Sequence, residues 1–252
     1  MKSPVDTPIL SARGIEIRFG GVVAADGIDL DIYERENLAI IGPNGAGKTT
    51  FLNICTGYLA PQAGSVRFGE QELLGRRPRV ITRLGIARAF QIPQLFSEHT
   101  VLENLLIAAA VRERKWNPFR ALSAIPQKRE MMDLLELVDC AGIADRPAAE
   151  LAEGQRKLVD IAIALALKPK LLLLDEPTSG VASADKFRIM EILIAALRQQ
   201  DVSSVFVEHD MEVVMRYASR VAVWSEGKIQ MIGAPDVVMN DPDVIRTVIG
   251  GS

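Results

Sequence analysis

Residues 42–50 read GPNGAGKTT, which sets Gly42, Gly47, Lys48 and Thr49 in the order G-x-x-x-x-G-K-S/T. Glycines in this pattern let backbone N–H groups converge on phosphate oxygens, and a helix opening at Lys48 would add its positive end. Pro43, Asn44, Gly45 and Ala46 complete the loop, and Thr50 falls in the first turn of that helix. Lys48 is placed to reach the β- and γ-phosphates of a nucleoside triphosphate, and the Thr49 hydroxyl to ligate Mg²⁺. By average composition, four fixed positions would coincide by chance in a chain of this length on the order of one time in a hundred. Two further groups suit the same chemistry. In LLLLDEP, Asp175 ends an apolar run and could hold a metal and its waters, while Glu176 could orient or deprotonate an attacking water. In VEHDM, His209, one of two histidines, follows another apolar run.

The elements around these residues must bring them together. LAII at 38–41 reads as a buried strand feeding the glycine loop, with a helix from about Lys48 to Thr56. LLLLD at 171–175, SSVFVE at 203–208 and RVAVW at 220–224 read as further buried strands, and SEGK as a hairpin turn into IQMI. Strands alternating with helices predict a mainly parallel sheet covered on both faces. Ligands of such sheets gather beyond the carboxyl ends of the strands, where Gly42, Asp175 and His209 would meet. IDLDIY at 28–33 alternates apolar and polar residues, as a half-buried strand does, and SVRF at 65–68 predicts another. The middle of the chain reads as helical. Thr100 and Glu103 have capping-box spacing ahead of Leu102, Leu105, Leu106 and Ala109, and further helices are expected near 127–138 and 154–168. Residues 115–127, with Trp116, Pro118 and Pro126, read as a loop insertion.

ELAEGQRKL at 150–158 holds no nucleophile, histidine or metal-ligand set, and taken by itself it is a charged helix start. Its interest lies in its place, shortly before LLLLDEP.

Composition excludes several classes. The 252 residues are 48% hydrophobic and 24% charged with a net charge of -3, so no global basic field points to nucleic acid. Aromatics are only 5%, too few for a base-stacking platform. No apolar run approaches the ~18 residues of a membrane span. The start, MKSPVDTPIL, lacks the apolar stretch of a secretory signal, so the cytosol is expected. Cys55 and Cys140 sit in apolar helical surroundings and read as reduced packing residues.

Taken together, GPNGAGKTT, AFQ with Gln91, LAEGQRK, LLLLDEP and VEHDM resemble, in order and spacing, an ABC-transporter nucleotide-binding subunit over essentially the whole chain. The resemblance implies an α/β P-loop NTPase fold. Its RecA-like, mainly parallel core would carry an N-terminal antiparallel β-subdomain and an α-helical subdomain. One nucleotide-binding domain would span 1–252, with core and β-subdomain at about 1–90 and 165–252 and the helical subdomain at about 91–164. It also implies ATP and Mg²⁺ as ligands and a head-to-tail dimer with a second ABC ATPase, a paralogue or a second copy. Phe19 in RFGG then resembles the aromatic that stacks on adenine. Gln91 resembles the Q-loop glutamine beside the γ-phosphate and Mg²⁺, and His209 the switch histidine. Leu151, Ala152, Glu153, Gly154 and Gln155 resemble the LSGGQ signature, which grips the partner's ATP across the dimer.

GIARAFQIPQLFSEHTVLENLLIA, the insertion and the ending VEHDMEVVM…NDPDVIRTVIGG are similar to branched-chain amino-acid importer ATPases of the type with the longer helical region. That family also serves amides, urea and aromatic acids. It implies a two-subunit membrane permease, a periplasmic or extracellular solute-binding protein, and a peripheral place on the cytoplasmic face of the inner membrane. The alternatives are the ATPase of a lipopolysaccharide-type export complex and a soluble non-transport ABC ATPase. The insertion and the RAFQ context argue against the first, and the single cassette without a basic surface against the second. A P-loop kinase would need an acceptor site and lid, neither of which is visible.

Three positions depart from the family pattern. Ala152 replaces the signature serine, Glu153 the first glycine, and Ala182 the usual aspartate of the loop after LLLLDEP, where Ser179 is the nearest hydroxyl. Losing one hydrogen bond to a charged group costs about 1.5–3 kcal/mol, so Gly154 and the helix start are expected to do the gripping. A carboxylate aimed at a triphosphate would repel it, and the Glu153 side chain is expected to face away.

Overall fold

The computed structural model describes residues 7–113 and 126–246. The insertion read at 115–127, apart from its last two residues, lies outside them, as do the first six residues and the ending TVIGGS. Two sheets organise the rest. Strands β1 (Pro8–Phe19), β2 (Val22–Tyr33), β4 (Ala63–Phe68) and β5 (Gln71–Glu72) form an antiparallel sheet in the order β2-β1-β4-β5. The alternation read at 28–33 belongs to β2, where Ile28, Leu30 and Ile32 are buried.

The second sheet has the order β10-β9-β3-β8-β7-β6, with β3 (Asn37–Ile41), β6 (Ile86–Ala89), β7 (Leu171–Asp175), β8 (Ser203–Val207), β9 (Arg220–Ser225) and β10 (Lys228–Gly233). Pairings among β9, β3, β8, β7 and β6 are parallel, and only β10 runs antiparallel, through the SEGK hairpin. Parallel strands shielded on both faces read as continuous apolar runs, and all of Leu171–Asp175 and Ser203–Val207 is buried. Their period of two still divides the interior. Leu38, Ile40, Leu171, Leu173, Val205 and Val207 face the antiparallel sheet and helix α1 (Lys48–Cys55). Ala39, Ile41, Leu172, Leu174 and Phe206 face the other helices.

Those helices are α3 (Val101–Arg112), α4 (Lys128–Leu137), α5 (Glu153–Ala166), α6 (Ser183–Gln199), α7 (Met211–Tyr217), α8 (Pro235–Met239) and α9 (Pro242–Val244), whereas α2 (Pro78–Leu84) packs through Ile81 on the side of α1. The capping box read from sequence closes α3. Glu103 N donates to Thr100 Oγ1 at 3.1 Å, and Thr100 N donates to Glu103 Oε2 at 2.9 Å. Cys55 and Cys140 are free and buried, and burial pushes their thiols up to about 12 and about 11. They pack as expected rather than react.

At the far end of α3, Arg112 donates to both carboxylate oxygens of Glu130 on α4, at 2.8 and 2.9 Å, and to the carbonyl of Ala166 on α5, at 2.9 Å. Lys168 adds a second cation 2.9 Å from Glu130. The Arg112 bond, aided by Lys168, holds the Glu130 carboxyl down at about 2. A depressed acid contributes stability that is full above its unfolded value and is lost as pH falls through its folded value. Glu130→Gln should therefore be less stable than wild type at pH 7. The gap should close as pH falls from about 4.5 toward 2, as read by urea unfolding at a series of pH values. A gap that stays constant across that range would mean the carboxylate charge contributes nothing.

Candidate functional site

Four neighbouring parallel strands end on the same edge, and each delivers one loop there: β3 the glycine loop, β8 residues 208–210, β7 Glu176, and β6 Phe90 and Gln91. The glycine loop is shaped by close approach. At Gly47, φ is 107° and an added Cβ would stand 1.9 Å from the Ala24 carbonyl oxygen; at Gly42 it would stand 1.9 Å from that of Trp224. No side chain fits at either position, so the loop lies pressed between β2 and β9. Pro43, Asn44 and Gly45 form its exposed tip, while Ala46, Gly47 and Lys48 are buried. Lys48 opens α1, and its ammonium donates to the carbonyls of Gly42 at 2.7 Å and Pro43 at 2.8 Å. Burial pulls its pKa below the ordinary lysine value, against the attraction of Glu176 and Asp175.

Next along α1, the Thr49 hydroxyl donates to Asp175 Oδ1 at 3.1 Å, while Thr50 is half-buried. The other carboxylate oxygen of Asp175 accepts from Arg88 at 2.7 Å, and both side chains are about 95% enclosed. Arg88 projects from β6, also donates to Asn53 on α1 and covers the Phe90 ring at 4.8 Å. A hydroxyl and a carboxylate held side by side are the hard oxygen donors Mg²⁺ takes when most of its remaining shell is water and phosphate. The described residues contain no cluster of three or more His, Cys, Asp or Glu able to hold a metal without such help.

Glu176 is the hub of the edge. Its Oε2 accepts from Gln91 Nε2 at 2.7 Å, and its Oε1 lies 3.1 Å from His209 Nε2. A carboxylate at that distance requires the proton on His209 Nε2. Glu176 adopts φ 51°, the left-handed region that non-glycine residues rarely enter. Two more acids brace the loops. Glu208, buried, accepts from the Thr178 amide at 3.0 Å and hydroxyl at 2.6 Å, and from the His209 amide at 3.1 Å. Asp160, on α5, accepts from Phe90 N at 3.1 Å, and burial pushes its carboxyl up to about 7 against the pull of the Phe90 and Gln94 amides.

The structure thus joins Lys48, Thr49, Asp175, Glu176, Gln91 and His209 on one edge. The Gln91 side chain bonds Glu176, on the same edge as the Thr49–Asp175 pair with which it is expected to hold Mg²⁺. Phe19 ends β1, half exposed, in the hairpin whose second strand carries Ala24 beneath Gly47. The LAEGQ residues lie at the start of α5. Leu151 is buried and Ala152 caps the helix without a side-chain oxygen, its own N–H taken by Gln155 Oε1 at 3.2 Å. At Gly154 an added Cβ would lie 3.3 Å from Ile189, so the position is tight. The Glu153 stem lies against the loop after Glu176, with Cγ 3.7 Å from where a Cβ on Gly180 would stand.

Sequence reasoning passed over Arg88, Lys157, Asp160, Thr178 and Glu208. The available signal was a charge inside an apolar run, Arg88 in GIARAF and Asp160 in LVDIAIALA, whereas Lys157 and Thr178 carry none.

The chain matches the family model described as ABC transporter over residues 25–179. It is 36% identical over 251 residues to the high-affinity branched-chain amino acid transport ATP-binding protein LivG of Escherichia coli (strain K12), covering 96% of this chain and 98% of that protein. It is also 36% identical to BraF of Pseudomonas aeruginosa, which carries the same description, with 96% and 98% covered. The fold superposes on the ADP conformation of an ATP-binding cassette of an ABC transporter with a TM-score of 0.84 and 32% identity, covering 97% of this chain and 99% of that one.

Removing one member of a buried ion pair costs about 3–5 kcal/mol, because the other charge is left uncompensated. Arg88→Met should lower the unfolding free energy by about that much, read as a fall in the urea midpoint. A loss under about 1 kcal/mol, the scale of a surface pair, would show that Arg88 does not sustain Asp175.

Proposed function

This chain belongs to the ABC transporter family and is an ATPase, and on that premise we propose that it energises an importer of branched-chain amino acids or related small polar solutes such as amides, urea and aromatic acids. The names of its relatives support the solute class. The observation that carries the chemistry is the hub at Glu176, held between Gln91 and His209 and one residue beyond the Asp175–Thr49 pair.

In this reading the backbone N–H groups of residues 42–50 and the Lys48 ammonium bind the triphosphate, and Phe19 stacks on adenine. Thr49, Asp175 and Gln91 are the residues that would hold Mg²⁺, which when bound neutralises charge building on the phosphates. Glu176 accepts a proton from the attacking water, with its carboxylate aimed by the Gln91 amide and the His209 imidazole. His209 also faces the γ-phosphate. Leu151–Gln155 act on the ATP of the partner. With Ala152 offering no hydroxyl, the Gly154 amide and the positive end of α5 supply the grip. The Glu153 stem leans on the Gly180 loop, which supports the reading that its charge turns away from that phosphate. The dimer is closed by ATP and released by hydrolysis, and a two-subunit permease converts this cycle into a change of facing. The partner ATPase is a paralogue or a second copy, and an external binding protein delivers the solute. No helix among the described residues is long and apolar enough to cross a membrane, and the chain would sit on the cytoplasmic face through its permease.

Two experiments test this. Removing a general base costs roughly 10²–10⁴-fold in rate, so Glu176→Gln should lose hydrolysis on that scale, keep ATP affinity and elute with Mg-ATP as a dimer. Retained turnover would remove Glu176 from its role. Complexes drawn from native membranes through this chain should contain a multi-span protein, and deleting the chain should abolish uptake of branched-chain amino acids. Recovery of no multi-span protein would sink the transport reading.

A further inference from the structure

Lys157 lies in the first turns of α5, three residues past Gly154, and is 4% exposed. Its ammonium makes its hydrogen bonds to two backbone carbonyls, Gln91 O at 3.1 Å and Glu176 O at 3.0 Å. These are the two residues whose side chains bond each other at 2.7 Å. Enclosing an ammonium is expensive, and the nearby carboxylates of Glu153, Glu208, Asp160 and Glu176 offset only part of that cost. Packing alone gives no reason to enclose an ammonium here.

The geometry shows what the charge does. Glu176 is held in its left-handed conformation from both sides: its N–H donates to Val207 O at 3.0 Å, and its carbonyl accepts from Lys157 at 3.0 Å and from the Ser179 amide at 3.1 Å. With the peptide groups on either side of its Cα fixed, the direction of its Cα–Cβ bond is fixed as well, and the carboxylate needs only its own torsions to reach Gln91 and His209. The segment bearing Gln91 is hung on the same group of helices. Asp160, one turn beyond Lys157, takes Phe90 N, and Asn104 of α3 takes Phe96 N at 2.8 Å and gives to Phe96 O at 3.2 Å.

We propose that Lys157 is a positioning residue for ATP hydrolysis, which sets the direction of the Glu176 carboxylate by bridging the carbonyls of Glu176 and Gln91. The helix whose first residues face the partner's ATP thereby also sets the base of its own chain. The proposal rests on Glu176 being that base.

The test uses the ATPase assembly isolated through the full-length chain, with wild type, Lys157→Met and Glu176→Gln assayed side by side. A small misplacement of a reacting group costs up to about 10²-fold, so Lys157→Met should lower kcat roughly 10- to 100-fold. KM and the affinity for a fluorescent ATP analogue should stay within about threefold, since the glycine loop, Lys48 and the Thr49–Asp175 pair are untouched. In the nucleotide-free chain, amide exchange should quicken at Gln91, Thr178 and Ser179 and not in β3 or β8. Lys157→Gln, whose shorter amide cannot reach both carbonyls, serves if the methionine variant does not fold. A folded variant with kcat within about twofold of wild type, while Glu176→Gln is inactive, would overturn the proposal. So would equal losses in kcat and in nucleotide affinity. Full activity of Glu176→Gln would instead overturn the base assignment on which it rests.

Discussion

A parallel sheet has a direction, and this molecule is organised by that fact. β3, β8, β7 and β6 run side by side with their carboxyl ends together, so four loops far apart in the chain emerge within hydrogen-bonding reach of one another. The pairing Asp175↔Val207 and the bond from Glu176 N to Val207 O bring the ends of β7 and β8 level. Without that alignment Glu176 could not meet His209, and Thr49 could not meet Asp175. The apolar faces serve the same end, since a sheet buried on both sides holds its strand ends to fractions of an ångström.

Fixed strands do not by themselves fix the groups at their ends, and these are steadied by buried charge. Arg88 pins Asp175, Glu208 ties Thr178 to the His209 amide, and Lys157 with Asp160 carries the segment around Gln91. Each is a polar group taken out of water and paired there, though Arg88 Nε is left without a partner among the described residues, and such an arrangement costs heavily when one member is lost. The exposed members, Gln91 and His209, are the ones free to change partners.

The legible part of this architecture was the part governed by local rules. The glycine loop, the capping box at Thr100 and the buried runs at 171–175 and 203–207 announce themselves through residues close in sequence. So did β2, by alternation. What was not legible depends on residues meeting across the chain. The strand at Ile86–Ala89 is short and contains Arg88, which argues against a buried strand until Asp175 is known to face it. Lys157 reads as an ordinary solvated helix position, because nothing in α5 says that two carbonyls wait at its tip. The five motifs disclosed the family, whereas the supports beneath them could be found only in three dimensions. The contact between Gln91 and Glu176 is a similar case, since their spacing in the chain gives no hint that the two side chains pair.

The backbone at Glu176 has one more consequence. A non-glycine residue in the left-handed region carries a conformational cost on the order of 1–3 kcal/mol, and here it is carried by the residue at φ 51° that heads the catalytic edge. Selection acting only on how firmly the chain folds would favour glycine or asparagine at this place. If the glutamate is the proposed base, it marks a position where thermodynamic fitness and catalytic fitness diverge, and stabilised variants of this protein obtained without a demand for turnover should accumulate substitutions there.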